Sequence, residues 1–388
     1  MMARAVQLAR KGCYWSAPNP HVGCVLVRDG VIIGEGFTRP AGGNHAEIEA
    51  LQDAGGAQGA TAYVTLEPCS HHGRTGPCAD ALVAAGVRRV VVATQDPNPQ
   101  VAGAGLARLL AAGVAVESGL LASGALALNP GFIARMTRGR GRVRAKLAMS
   151  LDGRTAMASG ESQWITGPGA RRDVQRLRAR SCAIVTGIGT VLADDCALTV
   201  RPAELGLGAE DTERASQRQP LRVVLDSWLR TPAAARVVSG TATTVLFHGR
   251  DARGDSGTGI PAWLAARTGQ AAAATSSAVE LMALPRTEQG LDLQAMLAAL
   301  SQRQCNEILV ESGPRLAGAL LRQGLLDELI VYMAPTLLGD TAQPLLHLPL
   351  ERMSEQVRLQ VRDMRRVGED WRLTLAAARN DGSGEEGD

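Results

Sequence analysis

The sequence predicts an α/β protein of two domains. Three observations carry this. The chain has 388 residues, too many for one ordinary core; short apolar runs alternate with helical patterns in both halves; and a basic, glycine-rich stretch, MTRGRGRVR (Met136 to Arg144), lies between them. A helix opens the first half. Paired strands follow (GCVLVRDGVIIGEGF), then a helix (HAEIEALQDAG), a strand (TAYVTL), a helix (CADALVAAG), a strand (RRVVVAT), a helix (GLARLLAAG) and a strand (VAVESG). After a last short helix and the basic stretch, the strand VRAKLAMSLDG opens the second half. Strands CAIVTG, LRVVLDS and TTVLFHG, helix LQAMLAALSQ, strand EILVESG, helix RLAGALLRQG and strand ELIVYMAPTLLG complete it. The boundary is placed near residue 143, giving domains 1–143 and 144–378 and a disordered tail, 379–388. Two polar insertions, around Leu205 to Gln219 and Ala252 to Ser277, read as surface loops.

Composition narrows the function. Apolar residues make up 45% and charged residues 20%, the balance of a soluble globular protein. A net charge of +3 and 3% aromatic residues offer neither a broad phosphate-binding surface nor a base-stacking platform, so no nucleic-acid partner is expected. No run of about 18 apolar residues occurs, and the start, MMARAVQLARKGCYW, lacks the basic-then-apolar layout of a signal peptide. A cytoplasmic location without a membrane partner follows as the expectation. The cysteines, at 13, 24, 69, 78, 182, 196 and 305, are too scattered for a disulfide framework, so any special ones are special for chemistry.

The most informative segment places His45 and Glu47 at the start of a predicted helix, Pro68 and Cys69 after a strand, and Cys78 beyond. One imidazole and two thiolates suit a catalytic zinc that keeps its fourth position for water, whose pKa the metal lowers toward neutrality. Glu47 would be the proton shuttle, as in the H-x-E…P-C-x-x-C arrangement of zinc deaminases, where the glutamate is not a ligand. Here eight residues, SHHGRTGP, separate the cysteines. Two plainer readings stand beside this one: unrelated buried thiols near a helix-end histidine, or a closed structural zinc whose fourth ligand is His71 or His72. In the second half no G-x-G-x-x-G follows a strand. Strand EILVE instead runs into Ser312 and Gly313 at a helix start, where free N–H groups favour a phosphate, although most such turns are only turns.

The stretches APNPHVGCVLV, GGNHAEIEAL and EPCSHHGRTGPC resemble the deaminase half of the bacterial bifunctional riboflavin-biosynthesis deaminase/reductases. KLAMSLDGRTAMASGESQWITGPGARRDVQRLRA, GIGTVLADDCALTVR and VESGPRLAGALL resemble their reductase half, in the same order. The resemblance covers nearly the whole chain apart from the insertions and tail. It departs at Gly76 and Cys196, where the family usually has proline. It implies a three-layer α/β/α, cytidine-deaminase-like first domain and a dihydrofolate-reductase-like second one. It further implies hydrolytic deamination of a phosphoribosylamino-diaminopyrimidinone, then reduction of the ring-opened ribose by NADPH to a ribityl chain. By resemblance, zinc sits on His45, Cys69 and Cys78, one ion per deaminase domain, with Glu47 catalytic and Asn19 holding the pyrimidine. Ala148, Trp164, Thr190, Asp194, Ser227 and the run Gly313, Pro314, Arg315, Leu316, Ala317, Gly318 and Ala319 would contact NADPH. Ser162, Arg178, Leu198, Arg201 and Glu311 would contact substrate.

Residue chemistry agrees in places. Arg178 and Arg201 offer guanidinium forks suited to a substrate phosphate, or are solvated charges. Asp194 and Asp195 are a site pair, or cap a turn. Trp164, among Ser162, Gln163 and Thr166, suits a cleft wall, or is core. The expected partner is a small phosphorylated pyrimidine, and a homo-oligomer is expected from the symmetric habit of such enzymes. Two rivals stand: a nucleic-acid deaminase fused to an unrelated domain, and a structural zinc module joined to a nucleotide-binding regulatory domain. Glu47 discriminates the latter, since a structural site does not need it.

Overall fold

Short apolar runs in the first half pair into one sheet because each is too short to bury itself and each alternates its faces. In the computed structural model the elements run α1 (Met2–Arg10), β1 (Gly23–Arg28), β2 (Val31–Phe37), α2 (Ala46–Ala54), β3 (Thr61–Val64), α3 (Cys78–Ala84), β4 (Arg89–Val92), α4 (Ala104–Ala111), β5 (Ala115–Ser118), α5 (Ala122–Leu126) and α6 (Pro130–Arg138). The sheet order is β2-β1-β3-β4-β5. β1 is antiparallel to β2 and β3, while β3, β4 and β5 are parallel. Successive residues of β1 feed opposite cores: Cys24 and Leu26 pack with Ala46, Leu82 and Leu109 of α2, α3 and α4, and Val25 and Val27 pack with Ala5 and Leu8 of α1. The result is the expected three-layer α/β/α arrangement.

The structure describes residues 1–70, 76–99, 101–251, 259–268 and 278–377. The predicted tail, 379–388, and both His71 and His72 lie outside them. The chain divides into two compact units, the first Met1–Arg142 with Leu207–Arg218 and Leu300–Asn306, the second Val143–Gly206, Gln219–Ala299 and the chain from Glu307 on. The single boundary near 143 does not anticipate the two later segments of the first unit.

The rest of the chain forms β6 (Arg142–Ser150), β7 (Arg154–Ala156), α7 (Pro168–Ala179), β8 (Ala183–Gly187), α8 (Ile188–Asp194), α9 (Ala209–Ser216), β9 (Leu221–Leu225), β10 (Thr244–Gly249), α10 (Ala262–Thr268) and β11 (Val279–Leu284). There follow β12 (Arg286–Thr287), β13 (Gly290–Leu291), α11 (Leu293–Gln302), β14 (Glu307–Glu311), α12 (Pro314–Arg322), β15 (Glu328–Ala334), β16 (Gln343–Pro344), β17 (Leu359–Val367) and β18 (Asp370–Ala377). Nine strands form a sheet of order β11-β10-β9-β8-β14-β6-β15-β18-β17. β11, β10, β9, β8 and β14 are parallel, and the hairpin of β17 and β18 closes one edge antiparallel to β15. Its core joins Val174 and Leu177 of α7 to Ile184, Leu309, Ile330 and Tyr332 of the sheet.

Both insertions read as surface loops contain a helix. α9 begins with Glu210 and Asp211, which suit a helix N-terminus, and Arg214 pairs with both along one face. Arg214 is buried, its guanidinium 5.4 Å from the Trp15 ring and 5.3 Å from Phe37. In the second insertion Leu264 of α10 is fully buried. Polar residues hid the packing face of α9, and the polar sequence around it hid the short apolar run of α10.

Two glycines decide where α2 sits. A Cβ on Gly34 would lie 2.3 Å from the Ala50 carbonyl oxygen, and one on Gly36 would lie 2.2 Å from that of Ala46. Only a bare backbone lets the helix lie this close to β2. We expect Gly36→Ala to lift the first turn of α2 and cost about 1–3 kcal/mol through overpacking. The check is a fall in the urea midpoint of the first unit with its slope unchanged.

Candidate active sites

His45 is the residue just outside α2. Its extended backbone (φ −77°, ψ 165°) turns the ring away from the helix, and its side chain makes no capping bond. Glu47, in the first turn, is 3% exposed. Cys78 opens α3 and is fully buried, whereas Cys69 follows β3 on an extended segment. The sulfurs of Cys69 and Cys78 lie 3.6 and 3.3 Å from His45 Nδ1, and all three donor atoms fall within 4.8 Å of one another. The Cys78 N–H donates to Cys69 Sγ at 3.3 Å.

Charge is distributed as a cation would need it. The hydrogen bond from the Cys78 thiol pulls Cys69 down to about 4, against burial and with help from His45; Cys78 is correspondingly pushed up. The bond to Cys69 raises His45. Burial pushes the Glu47 carboxyl up to about 7, with His45 opposing and the Cys69 sulfur adding to the rise. One imidazole and two sulfurs fit zinc in tetrahedral geometry with a position left open, and among the described residues no fourth such side chain joins them. A closed structural zinc would need His71 or His72, outside the described residues. Asn19 is half-buried in the turn between α1 and β1, where its N–H donates to the Ser16 carbonyl at 2.9 Å.

In the second unit the expected cofactor residues follow the carboxyl ends of three adjacent parallel strands, where α/β sheets bind their ligands. Thr190 and Asp194 are in α8, directly after β8; Ser227 follows β9, its carbonyl accepting the Gly249 N–H at 3.2 Å; and Gly313 caps α12, directly after β14, with Pro314 in its first turn. Within the last run the structure separates two groups. Ala317 and Gly318 are interior, and a Cβ on Gly318 would lie 2.5 Å from the His347 carbonyl oxygen, so Gly313 to Leu316 are the residues able to meet a phosphate. Ala319 is half-buried behind them on α12, and Arg315 is exposed. Ala148 is half-buried on β6 opposite Tyr332. Trp164 is 68% exposed, not core, with the Arg171 guanidinium 4.7 Å from its ring centre. Asp195 does hold a turn, accepting the Arg236 N–H at 2.8 Å.

The expected substrate residues divide similarly. Ser162 donates to Asp194 at 3.3 Å. Arg178 is neither solvated nor free: its Nε and Nη2 donate to the two oxygens of Glu311 at 2.6 and 2.9 Å, and Nη1 donates to the Thr199 carbonyl at 3.0 Å. The half-buried pair occupies the fork that a phosphate would need. Arg201, about half exposed, pairs with exposed Glu204 at 3.0 Å. Leu198 is 2% exposed, its side chain in the core and its backbone at φ +50°.

Lys146, on β6, is the residue that motif reading overlooks. Burial holds its ammonium below the ordinary lysine range, while Glu311 and Asp194 push back and Arg178 adds to the depression. Glu311 is held low by Arg178 and Lys146 despite its burial, and burial together with Glu311 pushes the Cys196 thiol up to about 12. A signal was present: Lys146 and Lys11 are the only lysines among 41 basic residues. Where arginine serves almost everywhere else, a half-buried lysine offers a compact ammonium whose pKa shifts readily.

Comparison with known proteins follows the same division. Residues 1–94 match the cytidine and deoxycytidylate deaminase zinc-binding region, and residues 142–373 match the RibD C-terminal domain. The riboflavin biosynthesis protein RibD of Escherichia coli K12 is 51% identical over 97% of this chain and 98% of its own. Among solved structures, Acinetobacter baumannii RibD is 45% identical, with a TM-score of 0.86 over 97% of this chain and 98% of its own. A Thermotoga maritima diaminohydroxyphosphoribosylaminopyrimidine deaminase/5-amino-6-(5-phosphoribosylamino)uracil reductase is 31% identical, with a TM-score of 0.80 over 97% of each chain. Near-complete coverage at this identity, with both halves matched in order, shows that the chain belongs to the RibD family of riboflavin biosynthesis proteins.

Proposed function

We propose that the chain catalyses two consecutive steps of riboflavin biosynthesis. Residues 1–143 deaminate 2,5-diamino-6-(5-phosphoribosylamino)pyrimidin-4-one by hydrolysis. Residues 144–378 reduce the product with NADPH to 5-amino-6-(5-phosphoribitylamino)uracil. The observation that carries the reading is a buried, proton-holding Glu47 beside a convergent His45, Cys69 and Cys78, in one chain with a second unit whose helix and turn starts gather at parallel strand ends. The Thermotoga relative named for both activities supports it.

In the first unit His45, Cys69 and Cys78 hold zinc, one ion per domain. Zinc, when bound, supplies the Lewis acidity that makes water a nucleophile near neutral pH. Glu47 takes a proton from the attacking water and delivers it to the departing amino nitrogen, so that water adds and ammonia leaves. Its burial keeps the proton poised, since a solvated carboxyl would lose it too readily at pH 7. Asn19 holds the pyrimidine.

In the second unit NADPH supplies hydride. The N–H groups from Gly313 to Leu316 at the start of α12 hold cofactor phosphate, with Thr190, Asp194, Ser227, Ala148 and Trp164 around the rest. Arg201 takes the substrate phosphate, exchanging an exposed ion pair with Glu204 for it. Arg178 fixes Glu311, and Glu311 with Lys146 handles the protons of ribose opening and imine reduction. Bound NADPH would supply the hydride for the sugar carbon, and Lys146 would supply the proton for the nitrogen. No described helix is long and apolar enough to cross a membrane. We place the enzyme in the cytoplasm, where its thiols stay reduced, as a homo-oligomer acting on small molecules and not on nucleic acid.

Two variants separate the halves. Glu47→Gln is expected to retain zinc and lose about 10²–10⁴-fold in ammonia release, with NADPH oxidation on the deaminated intermediate unchanged. Lys146→Met is expected to do the reverse, sparing ammonia release and losing a comparable factor in NADPH oxidation. A chain that binds zinc yet gives neither signal on verified substrate would overturn the reading.

A further inference from the structure

Among the buried carboxylates that the chemistry above leaves without a role, one adjoins the metal ligands. Glu67, two residues before Cys69, is 3% exposed. It accepts four backbone N–H groups: one oxygen takes those of Asp96 and Gly103 at 3.1 and 3.0 Å, the other those of Gly105 and Leu106 at 2.9 and 3.3 Å. The last three lie at the start of α4, whose N-cap, Gly103, has no side chain to cap with. Glu67 does this from outside the helix, and its charge meets the positive end of the helix dipole.

The same helix rests on the ligand segments. A Cβ on Gly105 would lie 2.0 Å from the Pro68 carbonyl oxygen, so the backbone of α4 is in direct contact with the residue before Cys69. Three residues on, Arg108 donates to the Ser70 carbonyl at 3.3 Å and to Asp80 at 2.7 Å. Asp80 belongs to α3, the helix that Cys78 opens. α4 therefore holds the chain on both sides of Cys69 and the helix that carries Cys78. This matters because eight residues separate the two cysteines. A C-x-x-C pair has its sulfur separation set by covalent spacing; here it rests instead on folded contacts, among them the Cys78 and Ala79 N–H groups, which donate to Cys69 Sγ at 3.3 Å and to the Cys69 carbonyl at 3.1 Å.

We infer that Glu67 is a positioning residue of the metal centre: it locks the start of α4 against Pro68, and α4, through Arg108, braces from behind the placing of Cys69 against α3 that the Cys78 and Ala79 N–H groups make directly. The inference rests on the deaminase reading of the site. Groups that orient metal ligands from behind change metal affinity by about 10–100-fold, and Glu67 acts on the thiolates by the same logic, through backbone.

The test uses the full-length chain, with Glu67→Gln and Arg108→Ala beside the wild type, each loaded with cobalt(II) or with zinc. The ligand-field absorption of the cobalt form reports sulfur geometry, and transfer of zinc to a chromogenic chelator reports retention. A cooperative urea transition of the first unit, with the wild-type slope, shows that the unit has folded. Glu67→Gln is expected to release zinc about 10–100-fold faster with shifted, weaker cobalt bands, and Arg108→Ala to lie between it and the wild type. Wild-type bands and release rates in both variants, with only a lower melting temperature, would mean that Glu67 merely caps a helix, and the inference falls. If Glu67→Gln does not fold, Arg108→Ala decides alone by the same criterion. A wild-type chain that takes up neither metal instead refutes the deaminase reading, and the inference with it.

Discussion

How closely α2 lies on β2 determines the first active site. With no side chain at Gly34 or Gly36, the helix backbone sits directly on the strand, and its first turn has only one way to face. His45 then leaves the helix at its mouth while Glu47 is pressed inward, and the burial that results gives the carboxyl its acid/base range. The sulfurs approach from the far side on elements with their own restraints. The chemistry is thus set by backbone-to-backbone distances, which tolerate error less well than side-chain contacts do.

The second unit arrives at a reactive cluster by a different route. Residues far apart in sequence are brought together: Glu311 closes β14, Arg178 lies in the last turn of α7, and Lys146 comes from the middle of β6. Taking these charges out of water is costly unless they satisfy one another, and the two-pronged bond between Arg178 and Glu311 does so. Lys146 is the charge this pairing leaves least well compensated. A destabilised ammonium is a better proton donor than a solvated one.

Much of this was legible in the residues. His45, Glu47, Cys69 and Cys78 are scarce, chemically specific types in a telling order, and the alternating strands announced themselves by period. The helix α9 was hidden because polar residues outnumber its one buried face, carried by Arg214, and α10, with Leu264, because its short apolar run sits inside a polar, glycine-containing insertion. Arg178 reads as a free fork until the strand bearing Glu311 is folded against it, and Gly318 reads as a phosphate-binding glycine until His347 is found behind it. Lys146 carried a signal only in the count of lysines against arginines. Glu67 carried none, because its partners are backbone N–H groups 29 to 39 residues away.

The placement of α9 bears on how such a protein can be divided. Its residues are encoded within the second half, yet Arg214 stacks on Trp15 and Phe37 of the first. Leu300–Asn306 likewise returns, with Asn306 bonded to Arg135 and to the Pro18 carbonyl. Splitting the gene at the codon for residue 143 would leave the amino-terminal product with bare indole and phenyl faces and two missing patches. The two enzymes are interleaved in the polypeptide, so a fission into separate genes would have to be accompanied by resurfacing of the smaller one.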